Sequence, residues 1–290
     1  MKALVCTRCN SNELVKQGDE YVCPFCGTQY TDEEIKKMQI EGTVKIDNSD
    51  MIERFLQNAR RAKAKEDWDE TEKYYNLVEQ HDPTNVEAIF YSSYGKAMLS
   101  LISSDIFKRE SVFKTLTKSV SILDDNYDIS KEAELRPILE QISADIIAMS
   151  DSKFVYTQAQ NGLNKTETLF NQLNSEFVTT IQNILAKFPN DEKQNVTYLY
   201  EIIVEHCKKI YNHVYGNAIE QSWLDLIIKT LTELHSYDKS EKTERRIEYF
   251  QNLKTNREKI NKKATLILSI IALIVSLGIC AAVFIPLLCD

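Results

Sequence analysis

Four of the seven cysteines in this 290-residue chain lie in its first 26 positions, as Cys6-Thr-Arg-Cys9 and Cys23-Pro-Phe-Cys26. A two-residue gap lets one tight turn aim both sulfurs of a pair at a single ion, and zinc takes four thiolates tetrahedrally at about 2.3 Å. The spacing C-x2-C-x13-C-x2-C therefore predicts one zinc ion held by Cys6, Cys9, Cys23 and Cys26. A thioredoxin-like redox pair, by contrast, needs a single CxxC opening a helix near a βαβ pattern. Neither condition is met here.

The intervening sequence must bring the second pair back beside the first. Glu13 to Gln17 and Tyr21 to Cys23 read as short strands around a turn at Gly18-Asp19. Gly27, directly after Cys26, supplies a permissive backbone that lets amides face the sulfurs. In its second knuckle, Cys23-Pro24-Phe25-Cys26-Gly27, the segment resembles the zinc-ribbon family, including ribbons of the transcription-factor type, over about the first 30 residues. That resemblance implies a structural zinc with no open coordination position. Many ribbons bind nucleic acid, so a phosphate-contacting head using Lys2, Arg8, Lys16 and Arg60 stands as the alternative function. Its weakness is charge: Glu13, Asp19 and Glu20 balance the three cations of the head, and the whole chain carries −8, whereas phosphate binders present a basic surface.

The remainder reads as all-helical. Seven Gly and five Pro in 290 residues are about a third of average usage, leaving few places to turn. Thr31 and Glu34 form a capping-box pattern opening a short helix, followed by a linker around Gly42 to Ser49. Residues 52–85 fit a 34-residue helix-turn-helix period ending at Pro83, with Phe55, Ala59, Ala62, Thr71 and Tyr75 at the packing positions. The stretch from Trp68 to Pro83 resembles a tetratricopeptide repeat, although Asn58, Ala62 and Thr71 depart from its usual residues. A second unit begins at Val86 and fades near Asp105. Further helices are expected over 106–123, 131–149, 153–187, 192–214, 219–236 and onward from 241. Leu199, Ile202, Ile203, Cys207, Ile210 and Val214 recur at helical spacing and read as core. The run Arg60, Arg61, Lys63, Lys65 is followed by Glu66, Asp67, Asp69 and Glu70, which reads as a solvated, self-compensating face. Glu205, His206 and His213 lack a third ligand and predict no second metal site.

From Ala264 to Cys289 no residue is charged. Twenty-six helical residues would extend about 39 Å, against about 30 Å of hydrocarbon. The expectation is a transmembrane helix over 264–288, with Lys254, Arg257, Lys259, Lys262 and Lys263 on its near side placing the N-terminal part in the cytoplasm and the C-terminus on the far side. "MKALVCTRCN" has no apolar stretch of signal-peptide length.

The expected organisation is thus a zinc ribbon at 1–30, a short helix and linker at 31–50, tetratricopeptide-like helices at 51–104, a helical body and basic helix at 105–263, and the membrane span. No phosphate loop, H-E-x-x-H or nucleophile elbow is present, so no enzyme is expected. The function expected is a membrane-anchored, cytoplasm-facing zinc scaffold recruiting protein partners. The nucleic-acid regulator is the alternative, and a ribbon serving only as a folding staple is the third reading.

Overall fold

The computed structural model describes residues 6–9, 11, 13–18, 20–35, 49–103, 105–151, 163–213 and 217–284. The chain divides into two compact units, Met1–Met51 and Ile52–Asp290. Lys2, Asp19, the linker at 42–48, residues 153–162, Val214, Pro286 and Cys289 lie outside the described residues.

The first unit is a three-stranded antiparallel sheet: β1 (Val15–Gln17), β2 (Glu20–Val22) and β3 (Gln29–Thr31), in that order. The β1–β2 hairpin is the expected one, paired from Val15↔Val22 to Gln17↔Glu20. Its two-residue connection needs left-handed backbone, and Gly18 supplies it at φ +68°. β3 was not anticipated, because three residues, Gln-Tyr-Thr, carry no readable period. It pairs with β2 at Tyr21↔Tyr30. A helical turn follows at 32–35, and its cap is reciprocal: Glu34 N donates to Thr31 Oγ1 at 3.3 Å, and Thr31 N donates to Glu34 Oε2 at 2.9 Å. This is the expected capping box. Cys6, Cys23, Tyr30 and Ile35 form the small core, with Leu14, Tyr21 and Cys26 packed against it.

Among its described residues the second unit is helical throughout. Its helices are α1 (Ser49–Ala64, begun in the first unit), α2 (Trp68–His81), α3 (Val86–Leu101), α4 (Ile106–Ser121), the single turn α5 (Leu123–Asn126), α6 (Glu132–Asp151), α7 (Leu163–Lys187), α8 (Thr197–His213), α9 (Asn217–Asp238) and α10 (Glu241–Phe284). Side-chain caps start several of them. Asp67 accepts from Glu70 N at 3.2 Å, Asn85 from Ala88 N at 3.0 Å, and Asp105 from Phe107 N and Lys108 N at 3.0 Å. Each satisfies amides that the first turn leaves unpaired.

Consecutive helices pack as neighbours, α2 on α3, α3 on α4, α7 on α8, α8 on α9 and α9 on α10, while α4 also packs on α7 and α6 touches α3, α7 and α8. The centrally placed α3 is therefore buried on most sides, from Val86 through Leu101. Gly95 lets it come close to α2, since a Cβ there would sit 3.0 Å from Trp68 O and Glu72 N. Ala59, Thr71 and Tyr75 are fully buried, as are nearly all of Leu199, Ile202, Ile203, Cys207 and Ile210. The α8 stripe is core, as its spacing indicates.

Two expectations are corrected. The transmembrane helix over 264–288, and with it the single-pass placement, is overturned: among the described residues no helix is long and apolar enough to cross a membrane. α10 is one continuous 44-residue helix whose first half is rich in charge, down to Lys262 and Lys263. The described apolar side chains that follow run only from Ala264 to Ile274. Those 11 residues extend about 16 Å, roughly half the hydrocarbon thickness.

The basic run of α1 is also not self-compensating. Arg60 and Lys63 reach Glu87 and Asp145, on α3 and α6, rather than the acids that follow them in sequence. Asp67 serves as the cap of α2 instead.

Candidate metal centre

The two cysteine pairs sit on matching turns. Cys6 N donates to Ser11 O at 2.8 Å, and Cys23 N to Thr28 O at 2.9 Å, so each knuckle closes between a first cysteine and the residue five positions on. In the second knuckle Gly27 N also donates to Cys23 O at 2.9 Å. This turn requires the left-handed φ of +72° at Gly27, where a side chain is disfavoured.

The hairpin brings the turns together. All four Sγ atoms lie within 4.8 Å of one another, with Cys6–Cys26 and Cys9–Cys23 each at 3.5 Å. Four sulfurs tetrahedrally placed at 2.3 Å from a common centre are separated by about 3.8 Å. The cluster thus fits a structural zinc ion, with Cys6, Cys9, Cys23 and Cys26 filling every tetrahedral position.

The hydrogen bonds around the sulfurs also suit thiolates. Tyr30 OH lies 3.1 Å from Cys6 Sγ and accepts from Thr7 N at 3.1 Å. Toward a thiolate, which carries no proton, the phenol must donate. Thr28 Oγ1 stands 3.1 Å from Cys26 Sγ in the same relation. The Tyr30 bond is the chief reason that the Cys6 thiol is pulled down to about 6, with the amides of Cys9 and Arg8 adding and burial opposing. Cys26 is lowered first by the Thr28 hydroxyl and then by its amide. Cys9 has the Ser11 amide pulling its thiol down, yet burial and the hydrogen bonds shared with the other three sulfurs outweigh it and push the thiol up to about 12. Four adjacent sulfurs cannot all ionise without a cation among them. A divalent ion removes that conflict.

The four ligands were readable from spacing. Tyr30 and Thr28 were not singled out, and their only sequence signal is position, four and two residues after Cys26. Of the proposed phosphate contacts, Lys16 is engaged by Asp32 at 3.6 Å and by the Tyr21 ring at 5.2 Å, while Arg8 is exposed.

Two polar assemblies lie in the helical unit. In the first, Glu87 accepts from Arg60 Nε at 2.9 Å and from Tyr75 OH at 2.7 Å. Asp145 accepts from Lys63 Nζ at 2.7 Å and Tyr91 OH at 2.6 Å. The Tyr75 and Tyr91 rings stack at 5.2 Å. These groups floor a 480 Å³ cleft whose far wall is Glu134, Pro137, Ile138 and Gln141 of α6. A 370 Å³ cleft also lined by Arg60, Glu87, Glu134 and Ile138 extends to Asp125 and Asp128.

The second assembly is a buried network. His206 is fully enclosed, with Nδ1 2.8 Å from Asn174 Oδ1 and Nε2 3.0 Å from Ser143 Oγ. Asn174 Nδ2 donates to Phe170 O and Ser150 Oγ, so its oxygen faces the ring. Nδ1 of His206 then donates and Nε2 accepts from Ser143. Burial lowers His206 to about 3 and keeps it neutral. Glu205 pairs with Lys208 on the surface, and no metal cluster forms there among the described residues.

Fold and geometry together define a small zinc ribbon ahead of an all-helical body. Residues 1–31 match the A2-L zinc ribbon domain family. Comparison of the chain with curated proteins gives no match.

Proposed function

We propose that the protein is a zinc-bearing scaffold whose helical body, a tetratricopeptide-like array at its start, binds protein partners. The observation that carries this reading is the paired cleft between α1–α3 and α6, whose apolar wall and tyrosine floor are rigidified by the Arg60–Glu87 and Lys63–Asp145 pairs. Concave, preorganised surfaces on helical arrays are suited to side chains of a partner. Chemistry at the metal is not favoured, because all four positions are taken by thiolates. Phosphate binding is not favoured either. Among the described ribbon residues Glu13, Glu20, Asp32, Glu33 and Glu34 outnumber Arg8 and Lys16.

The test is crosslinking mass spectrometry on the full zinc-loaded chain in cell extract, beside Glu134→Arg, a rim change that leaves both buried ion pairs in place. A partner set crosslinked at the cleft and lost in Glu134→Arg, with unchanged circular dichroism, supports the reading. A crosslink set indifferent to the variant removes the cleft, and a salt-dependent gel shift with RNA or DNA would transfer the function to the ribbon.

A further inference from the structure

The four ligands are not equivalent, and their differences follow from exposure and hydrogen bonding. Cys6 and Cys23 are fully buried, Cys26 is half-buried and Cys9 is exposed. Two sulfurs have a hydroxyl donor at 3.1 Å: Tyr30 on Cys6 and Thr28 on Cys26. These two are also a close pair across the knuckles, 3.5 Å apart. The other close pair, Cys9 and Cys23, also 3.5 Å apart, has no side-chain hydroxyl on either sulfur among the described residues. The centre therefore has a guarded edge and an open one.

We infer that Cys9 is the reactive ligand of the centre, the thiolate at which a soft carbon electrophile attacks, and that the Thr28 hydroxyl keeps the other accessible sulfur, Cys26, from competing. A hydrogen bond donated to a thiolate stabilises its charge and lowers its nucleophilicity, and attack also requires access. Cys6 fails both criteria, Cys23 fails on access and Cys26 is screened by Thr28. Only Cys9 meets both. With an alkyl halide the Cys9 sulfur forms the new S–C bond while the C–halogen bond breaks, and the halide leaves with the bonding pair. No proton moves, because the sulfur enters as a thiolate. The product is a neutral thioether, a weak ligand in place of an anionic one, so the ribbon's hold on its ion fails at this edge first.

The experiment treats the full zinc-loaded chain with limiting iodoacetamide, locates carbamidomethyl groups by peptide mass spectrometry over time, and follows zinc release with a chromogenic chelator. Cys9 is expected to react at least tenfold faster than Cys26, with zinc appearing in step with the Cys9 adduct. Cys6 and Cys23 should follow only afterwards. Cys207, buried in α8, is the internal reference for intact folding. In Thr28→Val the Cys26 rate should rise several-fold while Cys9 is unchanged, and Thr28→Ser, which keeps the hydroxyl, should match the parent. Equal labelling of Cys9 and Cys26 in the parent chain, first labelling at Cys23, or an unchanged Cys26 rate in Thr28→Val would each overturn the assignment.

Discussion

The ribbon and the helical body reach order by opposite means. The ribbon's apolar core is two cysteines, Tyr30 and Ile35 with a few partly buried neighbours, whereas the body buries one continuous cluster from Leu56 to Phe250. A unit with so little apolar surface cannot offset the entropy of ordering its chain. Metal–thiolate bonds must do so. The body needs no such device, and its charged groups serve to fix which helices meet, as Arg246 does by forking onto both oxygens of Glu201 at 2.7 and 2.8 Å. The two core clusters share no residue, so each can be perturbed separately.

The largest expected effect is metal removal. Zinc binding contributes on the order of 10 kcal/mol or more to small structural sites, so chelation, or Cys23→Ser, should unfold the ribbon outright. Amide resonances of residues in β1–β3 should collapse to random-coil shifts, while the helical signal at 222 nm and the melting of the body stay as they were. A cooperative loss of both would show that the body depends on the ribbon. Within the same site Tyr30→Phe removes only the donor to Cys6. It should weaken zinc by about 10-fold, the lower bound for outer-shell partners, as read by competition with a chromophoric chelator.

The converse change strikes the body. Ile142 is fully buried on α6, and truncating a buried Ile to Ala costs about 2–5 kcal/mol through lost transfer energy and the cavity left. Ile142→Ala should lower the urea midpoint of the helical transition by that amount and leave zinc affinity unchanged. A change in zinc affinity would show that the two units are energetically linked.

Legibility differs between the two regions for the same physical reason. Zinc ligation is local in type and spacing, so Cys6, Cys9, Cys23 and Cys26 could be read directly, and the hairpin followed from Gly18 and the need to reunite the pairs. The body's helices were readable from period and breaks, but its polar contacts were not. Glu87 is 27 residues from Arg60 and Asp145 is 82 from Lys63, distances over which charge patterning carries no signal. The nearest acids in sequence were the wrong partners. Tyr30 and Thr28 were hidden by the brevity of β3. The tail was misjudged because hydropathy counts residues without regard to the helix that holds them, and α10 joins its apolar stretch to a charged one without a break.

Acid should distinguish the units more gently. His206 has an ordinary value near 6.5 and is held at about 3 in the fold by burial. The unfolded chain therefore binds a proton that the folded chain refuses between those values. Stability from this group is complete above about 6.5 and declines as pH falls toward about 3. Linkage gives a loss of about 2 kcal/mol at pH 5 relative to pH 8. Urea titrations of the body across that range should show this slope. In His206→Leu the slope should be absent whatever its starting stability, and persistence of the slope there would assign it to other groups.

The smallest effect concerns a single backbone angle and separates metal bonding from turn geometry within the ribbon. A Cβ at Gly27 meets no atom within 4 Å, and the same holds at Gly18, yet both residues have positive φ, +72° and +68°. The cost of Gly27→Ala is thus conformational, about 1–2 kcal/mol for an L-residue forced into the left-handed region. At Gly27 the angle belongs to the turn that presents Cys23 and Cys26, so the cost should appear as roughly 5- to 30-fold weaker zinc binding. At Gly18 the turn closes the β1–β2 hairpin, and both knuckles keep their own hydrogen bonds. Because only the metal-bound ribbon is ordered, Gly18→Ala should weaken zinc by a similar factor while leaving the thiolate-to-cobalt charge-transfer bands of the cobalt-substituted protein unaltered. Gly27→Ala should shift those bands. Identical spectra for the two variants would mean that the knuckle turn tolerates the change and that the ion alone sets the geometry of its ligands.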